Sequence, residues 1–341
     1  MKPKHPPFTA LALVCAASLQ LAAELRPRVI QTNSAGDNVH VIDPATNKVA
    51  GTIEGIDVSH GTVIAPGGAR IYITEEPTRT MDVVDSKTLR IIKKVPLSGR
   101  PNNLAVTSDG RKVYVGIAQA PGAVDVIDTE TLTRVKSIPV QGAIHNVYVT
   151  PDSKYAVSGS VVTGVITAID TSTDAVAWFW KETAGIRPMV FTTNADGSTK
   201  EMIFQLSNFH GFVVADFETR KELRRVTQPD VPGQERETDG IQGAPAHGLI
   251  VTRDGKTLWT TSKYYNYVAA YSLPDYKLVK IVTVGSHPEW MTIPPDGKNM
   301  YVGCAGTDST DVIDLAAMRM IKRIPVGSVP KRNTSGLIET E

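Results

Sequence analysis

Short runs of alternating apolar and polar residues recur along the chain, and each run ends at an equivalent position, which is usually an aspartate. Val124-Asp125-Val126-Ile127-Asp128 is one copy. Alternation with a period of two predicts β-strands, because successive side chains of a strand point to opposite faces. The closing position recurs at intervals of 42 to 56 residues, at Asp43, Asp85, Asp128, Asp170, Asp216, Ser272 and Asp314. The chain therefore contains seven copies of one β-rich unit.

A second marker falls between these positions, where a turn rich in Pro, Asp and Gly precedes another short β-rich run. Ser108-Asp109-Gly110 comes before Lys112-Val113-Tyr114-Val115, and Asp296-Gly297 comes before Met300-Tyr301-Val302-Gly303. Each unit thus holds about four short strands, and four strands in a period near forty are typical of a propeller blade. We predict an all-β, seven-bladed β-propeller of four-stranded antiparallel blades.

The closing aspartates themselves are predicted to be turn residues. In Asp128-Thr129-Glu130-Thr131, the aspartate carboxylate can accept hydrogen bonds from backbone N–H groups of the residues that follow it in the turn. In this interpretation the aspartates stabilise turns and have no catalytic or ligand-binding role.

The repeats resemble the YVTN family of β-propellers. That unit reads as a Tyr-Val strand, then Val-x-Val-Ile-Asp, then an Ile-Pro-Val-Gly ending, and the ending stands here as Ile138-Pro139-Val140 and Ile324-Pro325-Val326-Gly327. The resemblance extends from Arg28 to the C-terminus. It implies the propeller fold but no particular function, because one propeller fold hosts many activities.

The phase of the repeat predicts how the ring closes. The repeats open on the second strand of a blade, Val29 to Asn33, and the segment Pro330 to Leu337 has the position of the missing innermost strand. Pairing the two segments in one blade would remove two exposed strand edges. Removing the last dozen residues should therefore collapse the fold.

The N-terminus has the pattern of an export signal. Two lysines, Lys2 and Lys4, precede an apolar stretch from Phe8 to Ala23 that ends in small residues. We expect residues 1–23 to be a signal peptide, residues 24–341 to be one domain, and the protein to be periplasmic or secreted. Cys15 lies in the predicted signal, so Cys304 would be the one cysteine of the mature chain, which would have no internal disulfide or transmembrane segment.

The overall charge is nearly balanced, with 36 Lys+Arg against 35 Asp+Glu. A balanced chain with few aromatic residues does not favour nucleic acid or an anionic membrane as a partner. We expect a monomer whose partner is a small-molecule or protein ligand at the mouth of the central channel.

Three histidines share one register position of the repeat. Alignment from the Asp-Gly turns places one residue per blade at the start of the innermost strand: His60, Asn102, His145, Met189, His247, Glu289 and Lys331. Equivalent positions of a closed ring point towards a common axis. Three imidazoles with Glu289 as a fourth ligand or general base would suit a divalent transition metal, Zn, Cu or Fe. The alternative is that these histidines are packing residues that hydrogen-bond the neighbouring backbone.

Further polar residues are predicted on the same face. With Asn102, a ligand could contact Arg100, Arg187, His210, His287 and Lys331, and the cationic ones among them suit an anion. The longest departure from the repeat, residues 227–246, directly precedes His247. It is expected to form either a flap over the mouth or a tolerated loop.

A surface-layer or adhesive component is compatible with the repeats and the export signal, but the observations favour two other functions. One is a binding module that uses the channel mouth, with or without a histidine-lined metal site. The other is a metal-dependent periplasmic enzyme of the oxidoreductase, lactonase or lyase type, for which Glu289 is the candidate catalytic residue. The sequence lacks a Gly-x-Ser-x-Gly elbow, a phosphate loop and a Cys-x-x-Cys-His motif, so it indicates neither serine-type hydrolysis nor covalently attached haem.

Overall fold

The computed structural model describes Met1 and residues 24–340. The predicted signal peptide, apart from Met1, lies outside the described residues. Residues 24–340 form 28 β-strands in seven four-stranded antiparallel sheets, which are the seven blades of a β-propeller. The predicted all-β propeller is therefore confirmed.

Each blade runs from the channel outwards in chain order, apart from the one that closes the ring. The closing blade consists of β28 (Pro330–Thr340), β1 (Glu24–Asn33), β2 (Asn38–Asp43) and β3 (Lys48–Glu54). The other six are β4 (Ser59–Ile64), β5 (Arg70–Glu75), β6 (Thr80–Asp85), β7 (Arg90–Pro96); β8 (Pro101–Val106), β9 (Lys112–Ile117), β10 (Ala123–Asp128), β11 (Thr133–Pro139); β12 (Ile144–Val149), β13 (Tyr155–Ser160), β14 (Val165–Asp170), β15 (Ala175–Lys181); β16 (Ile186–Thr193), β17 (Thr199–Leu206), β18 (Gly211–Asp216), β19 (Glu222–Thr227); β20 (Leu249–Val251), β21 (Thr257–Ser262), β22 (Tyr267–Ser272), β23 (Leu278–Thr283); β24 (Pro288–Thr292), β25 (Asn299–Cys304), β26 (Ser309–Asp314) and β27 (Arg319–Pro325).

The hydrophobic core lies between adjacent blades. The second and third strands of each blade are buried on both faces, whereas the outermost strands are mostly exposed. One apolar cluster, for example, joins Val157 and Ile166 of one blade to Met202 and Phe204 of the next. Packing of this kind is repeated around the ring, so each blade depends on both of its neighbours.

Pairing of the two chain ends closes the ring as predicted. β28 pairs antiparallel with β1 from Glu24 opposite Thr340 to Asn33 opposite Pro330. Buried side chains reinforce the seam, since Gln31 Nε2 and Thr32 Oγ1 both donate to the carbonyl of Arg332, at 2.9 and 3.0 Å. This pairing brings the last strand of the chain to the wall of the channel.

The repeated aspartates cap hairpin turns, as the sequence predicts. Asp128 Oδ1 accepts from the backbone N–H groups of Glu130 at 3.1 Å and Thr131 at 2.7 Å. The turn ends on Leu132, whose φ of 52° lies in the left-handed region. The equivalent residues Asn47, Leu89, Asp174, Arg220 and Met318 have the same backbone conformation.

The described part of the chain consists of β-strands with connecting turns and loops. None of it forms a helix with the length and hydropathy needed to traverse a bilayer.

Candidate functional site

The innermost strands place one residue of each blade around one end of the channel. These strands contact one another around the axis, and the residues that surround the opening are His60, Asn102, His145, Arg187, His247, Glu289 and Lys331. They line a cavity of about 450 Å³, called here the mouth cavity. The sequence alignment is thus right in six of the seven blades about which residue reaches the mouth.

The fourth blade corrects the alignment. Arg187, and not Met189, occupies the shared register position, because Ile186 pairs with Leu206 just as Ile144 pairs with Ser160 in the preceding blade. A register irregularity follows, and Met189 lies two residues further along the strand, away from the mouth. β16 is also eight residues long, whereas the other innermost strands of chain-ordered blades have three to six, which explains the displaced alignment.

The three imidazoles do converge at the mouth. The ring centroids of His60 and His145 are 6.5 Å apart, and those of His145 and His247 are 5.5 Å apart, both in edge-on arrangements. Side chains about a hundred residues apart along the chain therefore meet because the ring is closed. His145 lies between the other two.

His60 is oriented by a carboxylate. Its Nδ1 lies 2.6 Å from Glu76 Oε1, and the other Glu76 oxygen, Oε2, accepts from Arg100 Nη1 at 3.1 Å. Burial lowers the pKa of His60 despite the contact with Glu76. The imidazole is therefore neutral at neutral pH.

His247 has a matching carboxylate on the opposite side of His145. Its Nδ1 lies 2.6 Å from Glu289 Oε2, a close contact that is not aligned as a hydrogen bond, and Lys263 Nζ donates to Glu289 Oε1 at 2.7 Å. Burial lowers the pKa of His247 to about 4, although Glu289 opposes this shift. Burial would raise the pKa of Glu289, but its partners outweigh burial and hold that pKa well below the usual value. The pair at neutral pH is a neutral imidazole beside an ionised carboxylate neutralised by Lys263.

His145 has no carboxylate beside it. Its Nδ1 lies 2.7 Å from Asn146 Nδ2, so Nδ1 accepts that hydrogen bond and the proton resides on Nε2. Burial, reinforced by the positive field of the neighbouring groups, holds the pKa of His145 well below its usual value. His145 therefore presents a neutral N–H group at the centre of the trio.

The mouth cavity carries an excess of positive charge. Its cationic side chains are Arg100, Arg187, Lys263 and Lys331, whereas its carboxylates are Glu76 and Glu289. With neutral imidazoles the lining has a net charge of +2.

The excess resides on Arg187 and Lys331, which form no ion pair with any described carboxylate within 4.0 Å. Arg187 donates from Nε to Ser207 Oγ at 2.9 Å and from Nη2 to the Gln242 carbonyl at 2.8 Å. Both acceptors are neutral. The guanidinium is therefore held in place by neutral groups while its charge stays available to a ligand.

A buried arginine lies beneath the mouth. The Arg332 side chain, 3 % exposed, donates from Nη2 to Asn102 Oδ1 at 2.9 Å and to Asn146 Oδ1 at 2.7 Å, so it links two blades to the closing strand. Its guanidinium carbon lies 3.9 Å from the ring centroid of Trp290. Arg332 thus fills the channel between its two ends. Its neighbour Lys331, which the sequence predicts at the mouth, lines the mouth cavity.

The metal site predicted from the sequence comprises His60, His145, His247 and Glu289. Among residues 24–340, no set of three or more His, Cys, Asp and Glu side chains is arranged to hold a metal ion. Glu289, the fourth member of the predicted ligand set, has one oxygen against Lys263 and the other against His247. Metal binding here would require at least one of these contacts to open.

Two predicted ligand residues lie away from the mouth cavity. His210 Nε2 lies 2.8 Å from Ser262 Oγ, and its ring is surrounded by Tyr264, Tyr265 and Tyr267. His287 Nε2 lies 3.0 Å from Glu237 Oε1. Neither histidine lines the cavity, so neither is positioned for direct contact with a ligand in the mouth.

The insertion of residues 227–246 does reach the mouth. Ile241, Gln242 and Ala244 line the cavity, and Gln242 also accepts from Arg187. Glu237 anchors the segment, since its Oε2 accepts from Asn266 Nδ2 at 2.7 Å. The insertion forms part of the mouth wall, next to the innermost strand that begins after His247.

Comparisons with known proteins agree with the fold. The sequence model of the Cytochrome D1 heme domain family matches residues 28–170. The protein YncE of Salmonella typhimurium (strain LT2) is 27% identical over 92 residues, a match that spans 27% of this chain and 26% of YncE. About a quarter of that relative's length is therefore aligned.

Solved structures show the same architecture over nearly the whole chain. A Kuenenia stuttgartiensis hydrazine synthase structure covers 89% of this chain and 99% of its own at 19% identity and a TM-score of 0.73. The periplasmic gluconolactonase PpgL of Pseudomonas aeruginosa covers 92% and 99% at 17% identity and a TM-score of 0.73. Dihydro-heme d1 dehydrogenase NirN, in complex with DHE, covers 90% and 65% at 17% identity and a TM-score of 0.67. At these identities the similarity establishes the fold alone.

Proposed function

We propose that this β-propeller is an exported binding module that holds an anionic small molecule at the channel mouth. The observation that carries the proposal is the net charge of +2 on the lining of the mouth cavity, with Arg187 and Lys331 unpaired. The cavity of about 450 Å³ has the size of a small-molecule site. Both features are local, and the rest of the chain is balanced in charge.

The imidazoles complement this charge with neutral polar groups. His145 offers an N–H donor between two imidazoles that are oriented by Glu76 and Glu289. Neutral donors beside fixed cations favour a ligand with several oxygen acceptors, such as a polycarboxylate or a phosphate ester. Export is supported by the apolar stretch from Phe8 to Ala23 and by the structural similarity to a protein described as periplasmic.

The test is calorimetric titration of the untagged protein with citrate, gluconate, pyrophosphate and haemin. We expect at least one of these anions to bind, with an affinity that weakens as salt is raised. Arg187→Gln should weaken that binding about tenfold or more, because it removes an unpaired cation from the wall. Arg90→Gln, at the exposed start of the outer strand β7, is the matched control and should leave anion binding unchanged, because Arg90 forms no ion pair within 4.0 Å with a described carboxylate. Failure of all four anions to bind, or equal losses in both variants, would refute the proposal.

A second candidate function rests on the convergence of His60, His145 and His247. Neutral imidazoles at one rim are suitable metal ligands, and several structural relatives are named as enzymes. The alternative is a metal-dependent periplasmic enzyme of the oxidoreductase, lactonase or lyase type, with Zn, Cu or Fe at the trio and Glu289 as ligand or base. The partial match to the Cytochrome D1 heme domain family supports a tetrapyrrole as the alternative metal-containing group. Such a group would supply redox chemistry, while Arg187 and Lys331 are placed to pair with its carboxylates.

Metal analysis of protein purified without an affinity tag separates the two functions. Stoichiometric metal that is lost in a folded His145→Ala/His247→Ala double variant would favour the enzyme. Haemin is distinguished by its absorption spectrum, which should shift on imidazole ligation in the wild type and not in the double variant. Absence of metal, together with anion binding that survives in that variant, would favour the module.

A further inference from the structure

The channel has a second cavity at the end opposite the mouth. It has a volume of about 430 Å³ and is lined by later residues of the same seven innermost strands, among them Val106, Tyr148, Phe191, Ile250, Trp290 and Asn333. This rear cavity contains no charged residue in its lining. It differs in chemistry from the mouth cavity, whose lining is polar and cationic.

The cation Arg332 lies next to the rear cavity, where it contacts Tyr148 and Trp290 of the cavity lining. Its Nη2 is used on the mouth side, by Asn102 Oδ1, Asn146 Oδ1 and, at 3.4 Å, the carbonyl of His145. Its Nε and Nη1 are buried and have no hydrogen-bond partner. Among the described residues no carboxylate lies within 4.0 Å of this guanidinium, so its charge is not neutralised by an ion pair.

The groups around Arg332 belong to the rear cavity. Trp290 stacks on the guanidinium, with 3.9 Å between the guanidinium carbon and the ring centroid. Tyr148 lies beside Arg332, and each affects the pKa of the other through a contact that is too poorly aligned to satisfy the Tyr148 hydroxyl or Arg332 Nε and Nη1. Donors that are buried without acceptors are rare in proteins, and their clustering indicates that an acceptor from outside the chain is accommodated here.

We propose that the rear cavity is a second ligand site, which takes a small carboxylate with an aromatic or branched apolar body. The carboxylate accepts from the free donors of Arg332 and the Tyr148 hydroxyl, and the apolar body packs against Trp290 and Phe191. A carboxylate fits because Arg332 supplies an unneutralised charge in an otherwise uncharged pocket. The polyanion proposed for the mouth does not fit here, since the rear cavity offers one cation and mainly apolar walls.

The experiment is calorimetric titration of the full protein with 2-naphthoate, with neutral 2-naphthamide as the matched probe. We expect naphthoate to bind at least tenfold more tightly than the amide. Fluorescence provides a second readout, since Trp290 lies in the cavity and its emission should change on binding. Trp290→Phe should remove that optical signal.

Two valine substitutions identify which end of the channel is occupied. Val106→Trp should fill the rear cavity and weaken naphthoate binding at least tenfold. Val162→Trp, the matched control, obstructs the mouth from a position that is 75% exposed and should leave binding unchanged. Thr334→Trp fills the rear cavity from another strand and replaces Val106→Trp if that variant is not folded.

Arg332→Met tests the charge directly. It should abolish the preference for naphthoate over naphthamide, and Arg332→Lys should restore part of it. The proposal is overturned by absence of naphthoate binding, by equal affinity for acid and amide, or by loss of binding in Val162→Trp but not in the rear-cavity variants. These results do not bear on the mouth proposal, which is tested by Arg187→Gln and by different anions.

Discussion

The mouth imidazoles should make folding sensitive to mild acid. Burial lowers the pKa of His247 to about 4, below its value of about 6.5 in the unfolded chain, so the unfolded state binds a proton first as the pH falls. The stability contributed by His247 is therefore complete above about pH 6.5 and is lost between there and about pH 4. The loss amounts to about 3 kcal/mol at most. Urea unfolding between pH 7.5 and pH 4 measures it.

His247→Gln is the control for this prediction, because glutamine cannot titrate in that range. The variant should show a flatter dependence of unfolding free energy on pH than the wild type. The slope that remains comes from the other histidines whose pKa values burial lowers, which are His40, His60, His145 and His210, and near pH 4 from carboxylates such as Glu289 whose pKa is held below its usual value. An imidazole resonance of His247 that titrates near pH 6.5 in the folded protein would contradict the argument.

At the residue scale, the sequence predicts the trio but not its surroundings. His60, His145 and His247 could be assigned because the repeat has a fixed register, and ring closure brings equal registers together. Arg187 was missed because β16 is two residues longer than β12 and has a further register irregularity between Phe191 and Thr193, so that counting back from the Asp-Gly turn ends at Met189. Arg332 on β28 stacks on Trp290 on β24. The repeat pattern does not link these two residues, so the contact could not be predicted from the sequence.

At the element scale, β28 is the strand on which the ring depends. It pairs with the whole of β1 and supplies Lys331 and Arg332 to the channel. Deleting residues 330–341 would expose the edge of β1 and leave the donors of Gln31 and Thr32 without the Arg332 carbonyl. We expect the truncated protein to lose cooperative thermal unfolding, as measured by calorimetry and near-ultraviolet circular dichroism.

A synthetic peptide of residues 328–341 provides the positive control for this deletion. Added to the truncated protein, it should restore a cooperative transition, because all of its contacts are non-covalent. Deleting only Thr340 and Glu341 should lower the melting temperature slightly at most. A cooperative truncated protein with the melting temperature of the full chain would show that β28 is not needed for closure.

Single turns should contribute far less than the closing strand. Asp128→Ala removes the acceptor of two backbone N–H groups at an exposed hairpin, for which we expect a loss of about 1 kcal/mol in unfolding free energy. Glu130→Ala, in the same turn, is the matched control and should change stability by less than about 0.5 kcal/mol. Urea denaturation compares the two. Equal effects would mean that the aspartate has no special part in the turn.

The sequence predicted these elements well because strands and turns carry local patterns. Another recurring device escaped prediction: Asp82, Asp125 and Asp311 are fully buried and face basic residues on the outermost strands. Arg323, for example, contacts both oxygens of Asp311 at 2.8 Å. An aspartate inside an alternating strand reads as solvent-facing, and only the packing of the next blade shows that it is buried.

At the scale of the whole molecule, composition concealed the property that bears most on function. The chain has a formal net charge of +1, which excludes a strong overall field. The mouth lining alone carries +2, and Arg332 adds a further cation beneath it. Folding collects positive charges at the channel, although positive and negative charges nearly balance over the whole chain. The fold could therefore be predicted from the repeat, whereas the preference for an anion could be argued only once the seven strands were placed around one axis.

The closed ring and the predicted export together predict how many cysteine thiols react, and under which conditions. Cys304 is fully buried, and burial beside Asp311 raises the pKa of its thiol well above the usual value, so it should not react with Ellman's reagent in the folded protein. In urea, protein recovered from the periplasm should show one thiol per chain, because Cys15 is expected to leave with the signal peptide. Cytoplasmic protein that keeps its N-terminus should show two. Rapid labelling of the native protein would mean that the ring opens at Cys304, and two thiols in periplasmic protein would refute cleavage after Ala23.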